Sequence, residues 1–210
     1  SMKGIRRALA QSLATKVILS TVLLSLGVIS LAGSALNTRL ADGIRSESLN
    51  ATLTESRFSF FNTQYKLLLT QGGTVESRKK VLADMIVSTT TQGVKNSRRE
   101  VIFLKVPGDG KFKNSYEMSS SSINPSSVPI KLRKRLQKSP NLEYAYGTAK
   151  YLHGESVNAL FVGERINVPS GGRYEMYIIF SLESQTATLN LIRNSLLLTG
   201  LALLILIALV

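Results

Sequence analysis

An uninterrupted apolar stretch near the N-terminus constrains this chain more than any other feature. Residues 17–36 (VILSTVLLSLGVISLAGSAL) carry no charge. At about 1.5 Å per helical residue they extend roughly 30 Å, the thickness of a bilayer's hydrocarbon core. We therefore predict a transmembrane helix. Four preceding basic residues place residues 1–16 in the cytoplasm: Lys3, Arg6, Arg7 and Lys16. A cleaved signal peptide is the alternative, although its apolar core is normally only about 7–15 residues long.

A second apolar segment, residues 195–210 (SLLLTGLALLILIALV), closes the sequence. As a helix, these uncharged residues extend about 24 Å, slightly less than a full span. We interpret the segment as a second transmembrane helix that is cut short, and a C-terminal tail anchor is the alternative. Two spans would leave residues 37–194 as one extracytoplasmic domain of a cell-membrane protein.

The composition limits the chemistry and partners of this domain. The chain has 26 Lys and Arg against 13 Asp and Glu, a net charge of +13. Basic proteins often bind nucleic acid, but a domain outside the membrane does not meet it, so we expect no nucleic-acid partner. Anionic lipid or an anionic cell-wall polymer is the expected partner of such a surface. The chain has no cysteine, which excludes disulfides and thiolate chemistry.

The chain continues beyond the first span as a predicted long amphipathic helix. Four residues recur at intervals of seven: Ile44, Ala51, Phe58 and Tyr65. Phe61 and Leu68 lie on a neighbouring stripe. Such a stripe packs either on a sheet of its own domain or on a second copy of the helix. Glu47 and Thr54 interrupt the neighbouring stripe, which argues against a strict coiled coil and favours packing on the domain's own core. We therefore predict that the stripe is a packing seam, and we expect the protein to be a homodimer.

The remainder has the pattern of an α+β domain. The predicted elements are a helix over 75–90, a strand over 100–106, a turn at 107–110, a mobile serine-rich loop over 111–128, a basic helix over 129–138, strands over 142–152, 157–168 and 173–182, and a helix from 183 into the second apolar segment. Tight turns between the last three strands indicate an antiparallel meander. By analogy of form, a small antiparallel sheet between membrane helices is a PAS/Cache-like sensor architecture.

Two candidate sites follow from these elements. The basic helix carries the densest positive charge, and its contact with anionic surfaces would use Lys131, Arg133, Lys134, Arg135 and Lys138. The alternative is an ordinary solvated helix face. A ligand pocket would lie over the sheet face with Tyr144, Tyr146 and Tyr174, and Arg165 would bind an anionic group. The alternative is that these tyrosines pack on the long helix.

Catalytic and metal chemistry find no support in the sequence. The single histidine, His153, lies in a predicted turn and is typical of a solvated polar residue, with ligand binding or pH sensing as the less favoured interpretation. Nucleophile triads and Cys/His metal sites lack their residues. We therefore predict no catalytic residue, no metal and no cofactor within these 210 residues.

Residues 142–193 resemble a known family. The motifs YAYGTA, ALFVGE, EMYIIFSLESQ and TATLNLIR are similar to the membrane-proximal half of the sensor region of actinobacterial MtrB-type two-component histidine kinases. The segment VPGDG at 106–110 and the first span fit the same arrangement. The resemblance is strong after residue 142 and loose over 45–100.

The resemblance implies a sensor fragment of a larger enzyme. In that family the second span leads to a HAMP helix pair, a dimerisation helix with the phosphoacceptor histidine and an ATP-binding domain. The partner is an MtrA-type response regulator, and the signals concern the envelope, cell division and osmotic state. Two alternatives remain open. One is another bitopic receptor, such as a chemoreceptor or diguanylate cyclase, and the other is a membrane-tethered protein that binds anionic envelope polymer.

Overall fold

The computed structural model of the chain describes residues 13–92 and 98–209. They fall into two compact units, Ser1–Ser48 with Ala187–Val210 and Leu49–Thr186. The predicted cytoplasmic residues 1–12 and the Ile44 side chain lie outside the described residues.

Helices precede and follow a block of strands, in close agreement with the predicted order. The elements are α1 (Leu13–Leu68), α2 (Val75–Thr91), β1 (Arg99–Lys105), β2 (Met118–Ser119), a 3-10 helix (Pro125–Ser127), α3 (Ile130–Lys138), β3 (Glu143–Lys150), β4 (Ser156–Val168), β5 (Gly172–Ser181) and α4 (Glu183–Leu209). The chain therefore has the predicted α+β composition.

The first unit is made of the N-terminal part of α1 and most of α4. Lys16–Leu36 is 21 residues long, has a mean hydropathy of 2.1 and is unburied, so by length and composition it can cross a membrane. No second stretch among the described residues meets that test, and the predicted second span stays a prediction. The two helices touch at Gly200, where a β-carbon would come within 3.1 Å of the Ile29 side chain.

The second unit is built on a five-stranded antiparallel sheet in the order β2-β1-β5-β4-β3. The predicted meander is confirmed as β3-β4-β5. Gly154 in the β3-β4 turn and Gly172 at the start of β5 both have positive φ, a conformation that costs glycine little. Two strands lie outside the meander, and the longer of them, β1, pairs with β5 along its whole length.

Both faces of the sheet are covered, which explains why its central strands are apolar on both sides. One core lies under α1 and α2 and includes Phe60, Leu82 and Ile178. The other lies under the 3-10 helix and α3 and includes Leu136 and Phe161. Side chains alternate between these cores along each strand.

The serine-rich segment is not the mobile loop that its composition predicts. Tyr116 and Ile123 are completely buried, and Val128 is nearly so. The Ser120 hydroxyl accepts a hydrogen bond from the Val101 backbone N–H at 2.7 Å, beside the short strand β2. Apolar residues spaced between the serines therefore anchor the segment to the sheet.

Candidate functional site

Helix α1 carries a large apolar surface that its own domain leaves uncovered. The exposed fractions are 72% for Phe58, 71% for Phe61, 54% for Tyr65 and 52% for Leu68. The Phe61 and Tyr65 rings are stacked, with centroids 6.5 Å apart. Ala51, one heptad earlier, is also exposed. We call Phe58, Phe61, Tyr65 and Leu68 the exposed seam.

The possibility that this stripe packs on the domain's own sheet is therefore wrong. Phe60 and Leu67 face the sheet, together with the buried Ser56 and Thr63. These two hydroxyls donate to the carbonyls four residues earlier, each at 2.8 Å, so their burial leaves no hydroxyl unpaired. Ser56, Phe60, Thr63 and Leu67 therefore lie inward, and the exposed seam lies on the outward side of the helix.

Helix α3 is tied to the sheet by one of its own basic residues. Arg133 Nε donates to Glu175 Oε2 at 2.8 Å, and the Tyr177 hydroxyl donates to the same oxygen at 2.8 Å. Glu175 is completely buried. Burial and the neighbouring Glu175 carboxylate raise the pKa of Tyr177 far above its usual value. Burial opposes the charge of Arg133, but the hydrogen bond that Arg133 donates to Glu175, together with the charge of that carboxylate, prevails and raises the pKa of this arginine.

Only part of the predicted basic surface is free to bind a partner. Besides Arg133, Arg135 is also engaged, since it pairs with Glu143 at 3.3 Å and donates to the Tyr144 carbonyl. Lys131, Lys134 and Lys138 are exposed. Arg133 and Arg135 are thus already paired within the domain, and contact of Lys131, Lys134 and Lys138 with an anionic surface stays a prediction.

The four residues of the predicted ligand pocket do not form one site. Tyr144, Tyr146 and Tyr174 do share a sheet face, but Tyr174 is completely buried, whereas 39% of Tyr144 and 55% of Tyr146 are exposed. The Tyr174 hydroxyl accepts a hydrogen bond from the Tyr116 N–H at 2.9 Å, and burial raises the pKa of its phenol. Arg165 pairs in register with Glu175 and therefore projects from the opposite face.

His153 belongs to a small polar cluster at the β3-β4 turn. Its Nε2 lies 3.0 Å from Glu155 Oε2, which also accepts a hydrogen bond from Arg98 at 2.9 Å. These two hydrogen bonds, that of His153 first, lower the pKa of Glu155. The Arg98 guanidinium lies 4.8 Å from the centre of the Tyr151 ring. The contacts fix a surface turn, as expected for a solvated histidine.

The structure adds a cleft that the sequence analysis missed. It lies between α1 and β4, has a volume of about 510 Å³, and is lined by Arg57, Phe60, Phe61, Gln64, Asn141, Leu142, Glu164, Arg165 and Ile166. Burial raises the pKa of Glu164, and the nearby positive charge of Arg57 offsets only part of that increase. Gln64 is occupied by two hydrogen bonds to the Asn167 backbone, at 3.0 and 2.7 Å. No local sequence pattern predicts this cleft, because its residues come together only in the tertiary structure.

Comparisons with other proteins do not name a family for the chain. No protein-family model matches it, and no curated protein matches it significantly. Among the described residues, no group of three or more His, Cys, Asp or Glu could hold a metal ion.

Proposed function

We propose that the chain is the sensor and membrane-anchor region of a two-component histidine kinase. One observation carries the proposal. A helix that can cross a membrane continues without interruption into a sheet domain, and there it exposes an apolar seam with heptad spacing. Two chains anchored in one membrane hold these helices parallel, and parallel helices with such seams pair as in a coiled coil. The seam then forms the centre of a homodimer.

The connection between sheet and α4 supplies a route for the signal. Strand β5 lies at the middle of the sheet and ends at Ser181, and α4 begins at Glu183. The Ser181 hydroxyl accepts a hydrogen bond from the Glu183 N–H at 3.3 Å, which caps the start of α4. A change in the dimer contact would shift α4, which we take to be the second span of a PAS/Cache-like receptor. Such a switch requires a signal that binds two arrangements of the dimer differently.

The enzymatic activity and its partners belong to modules beyond this domain. In this proposal α4 leads to a HAMP segment, a phosphoacceptor helix and an ATP-binding domain that phosphorylates an MtrA-type response regulator in response to envelope or osmotic change. The coding sequence after residue 210 discriminates between the candidates. Those modules would support the proposal, whereas a chemoreceptor or cyclase module would assign another receptor class. An early stop codon would contradict every receptor candidate.

A chimera measures the sensor function directly. Residues 1–210 fused to the HAMP and kinase modules of a characterised histidine kinase are expected to give ATP-dependent autophosphorylation that changes with osmotic upshift. The matched control carries Phe58→Glu, which removes the proposed dimer contact but leaves the buried face of α1 intact. Autophosphorylation that is equal in both chimeras and indifferent to osmolarity would contradict the sensor role.

The free lysines of α3 favour a second candidate, an envelope-polymer-binding protein. In this case the chain in neutral nanodiscs binds teichoic acid, and replacing Lys131, Lys134 and Lys138 together with glutamine lowers the affinity at low salt about tenfold or more. The affinity of the unchanged protein falls as salt is raised.

The matched control for this binding experiment removes the same charge elsewhere. Glutamine at three other exposed positions, Lys66, Lys79 and Lys113, should leave most of the affinity in place. Equal losses in the two triple variants would show that only net charge matters, and the α3 surface would then not be a binding site.

A further inference from the structure

Three charged residues line the cleft between α1 and β4: Arg57, Glu164 and Arg165. The register places the Arg165 side chain on the other face of the sheet, so Arg57 and Glu164 are the two opposite charges on the α1 side, and they do not pair with each other. Arg57 and Glu164 both line the cleft, and the positive charge of Arg57 favours the ionised form of the Glu164 carboxylate. In the described part of the chain, neither residue forms an ion pair within 4 Å. By contrast, five other arginines do pair with a carboxylate: Arg98, Arg99, Arg133, Arg135 and Arg173. Arg57 and Glu164 are thus available to a third group.

The surroundings of these charges are those of a small-molecule site. A volume of about 510 Å³ lies within the range of pockets that bind small ligands, roughly 300–1,000 Å³. Phe60, Leu142 and Ile166 supply apolar lining, and the Asn141 side chain supplies an amide that both donates and accepts. Glu164 is only partly exposed, so its carboxylate has already lost part of its hydration in the folded chain, and a bound cation would compensate for that loss.

We infer that this cleft binds a small zwitterion, a free amino acid or a dipeptide. Its carboxylate would meet the Arg57 guanidinium, and its ammonium group would meet the Glu164 carboxylate. Charge-assisted hydrogen bonds of this kind are the strong ones in proteins. An anionic polymer or lipid fits less well, because Glu164 repels a second negative charge.

The position of the cleft would connect such a ligand to the dimer. Phe61 lines the cleft and is also a member of the exposed seam. A ligand beside Phe61 therefore contacts the surface on which the proposed homodimer depends. This connection rests on the proposed function, whereas ligand binding itself rests on the cleft alone.

Binding is tested with the full chain in detergent, by thermal unfolding and calorimetry against the twenty amino acids and a set of dipeptides. We expect at least one of them to raise the unfolding temperature and to bind in calorimetry. Arg57→Gln and Glu164→Gln should each weaken that binding about tenfold or more, the loss expected for one hydrogen bond to a charged group. Lys66→Gln, on the same helix but outside the cleft, should leave it unchanged.

Blocked ligands assign each charge to its partner. The methyl ester of the ligand should bind the unchanged protein more weakly than the free acid does, whereas the Arg57→Gln variant should bind ester and acid equally. The N-acetyl derivative should bind the unchanged protein more weakly than the free amine does, whereas the Glu164→Gln variant should bind both equally. Whether amino acids or only dipeptides bind distinguishes the two ligand sizes. The inference is overturned if none of these compounds binds, or if neither substitution weakens binding. Dimerisation measured separately would not be affected by that failure.

Discussion

Replacing Arg133 with methionine is expected to destabilise the domain by about 3 kcal/mol, because it leaves a buried carboxylate without its cation. Glu175 is completely buried, and its Oε2 accepts hydrogen bonds from both Arg133 and Tyr177. Its Oε1 has no hydrogen-bond partner among the described residues. Within the described part of the chain, Arg133 is the only residue that forms an ion pair with this carboxylate. Methionine preserves much of the apolar contact of the arginine stem but supplies no charge.

Urea unfolding of the full chain in detergent, followed by circular dichroism, measures this loss. Lys134→Met is the matched control on the exposed side of the same helix, and its effect should stay within about 0.5 kcal/mol. Adding Glu175→Gln to Arg133→Met removes the buried charge and should restore part of the stability. Equal, small effects of Arg133→Met and Lys134→Met would show that the pair contributes nothing.

Introducing a charge into the exposed seam is expected to dissociate the proposed homodimer without unfolding the domain. Phe58→Glu and Tyr65→Glu place a carboxylate at the centre of the contact, where burial without a partner costs several kcal/mol. Both side chains are more than half exposed in the single chain, so the domain itself loses little. The loss of association should therefore be large and the loss of folding small. Lys66→Glu, a neighbouring exposed position off the seam, should leave association intact.

Cysteine cross-linking measures the geometry of this contact. The chain has no cysteine, so each introduced thiol can react only with its copy in a second chain. In membranes, strong cross-links are expected at 51, 58 and 65, and weak ones at 66. Cross-linking without a seven-residue period, or equally strong at 66, would refute the dimer contact.

Local patterns in the sequence are sufficient to predict most of the fold. The uncharged run at 17–36 predicts a helix of membrane length, because composition and length alone determine that property. The predicted strands 157–168 and 173–182 correspond to Ser156–Val168 and Gly172–Ser181. Alternation and turn residues define such strands, and both are properties of neighbours in the chain.

The face of α1 that packs on the sheet is the first feature that only the tertiary structure decides. Two heptad stripes run along this helix, one through Phe58 and Tyr65 and the other through Phe60 and Leu67. Periodicity in the sequence indicated the first stripe, and only the structure shows that the second one meets the sheet. The choice depends on shape at the interface, and the inward stripe combines large side chains with Ser56 and Thr63, whose hydroxyls are satisfied within the helix.

The candidate sites depend even more on long-range contacts. The local sequence predicts Arg133 to be part of a basic surface, but the fold brings this residue to Glu175, which lies 42 positions away in the chain. Strand alternation predicts Tyr174 to line a ligand pocket, but the buried segment around Tyr116 covers that side chain. Arg57 and Glu164 show no relation in the sequence and share one cleft in the structure. The sequence by itself determined the elements, since these depend on neighbouring residues, whereas only the tertiary structure decided which charges pair and which stay free, since that depends on residues distant in the chain.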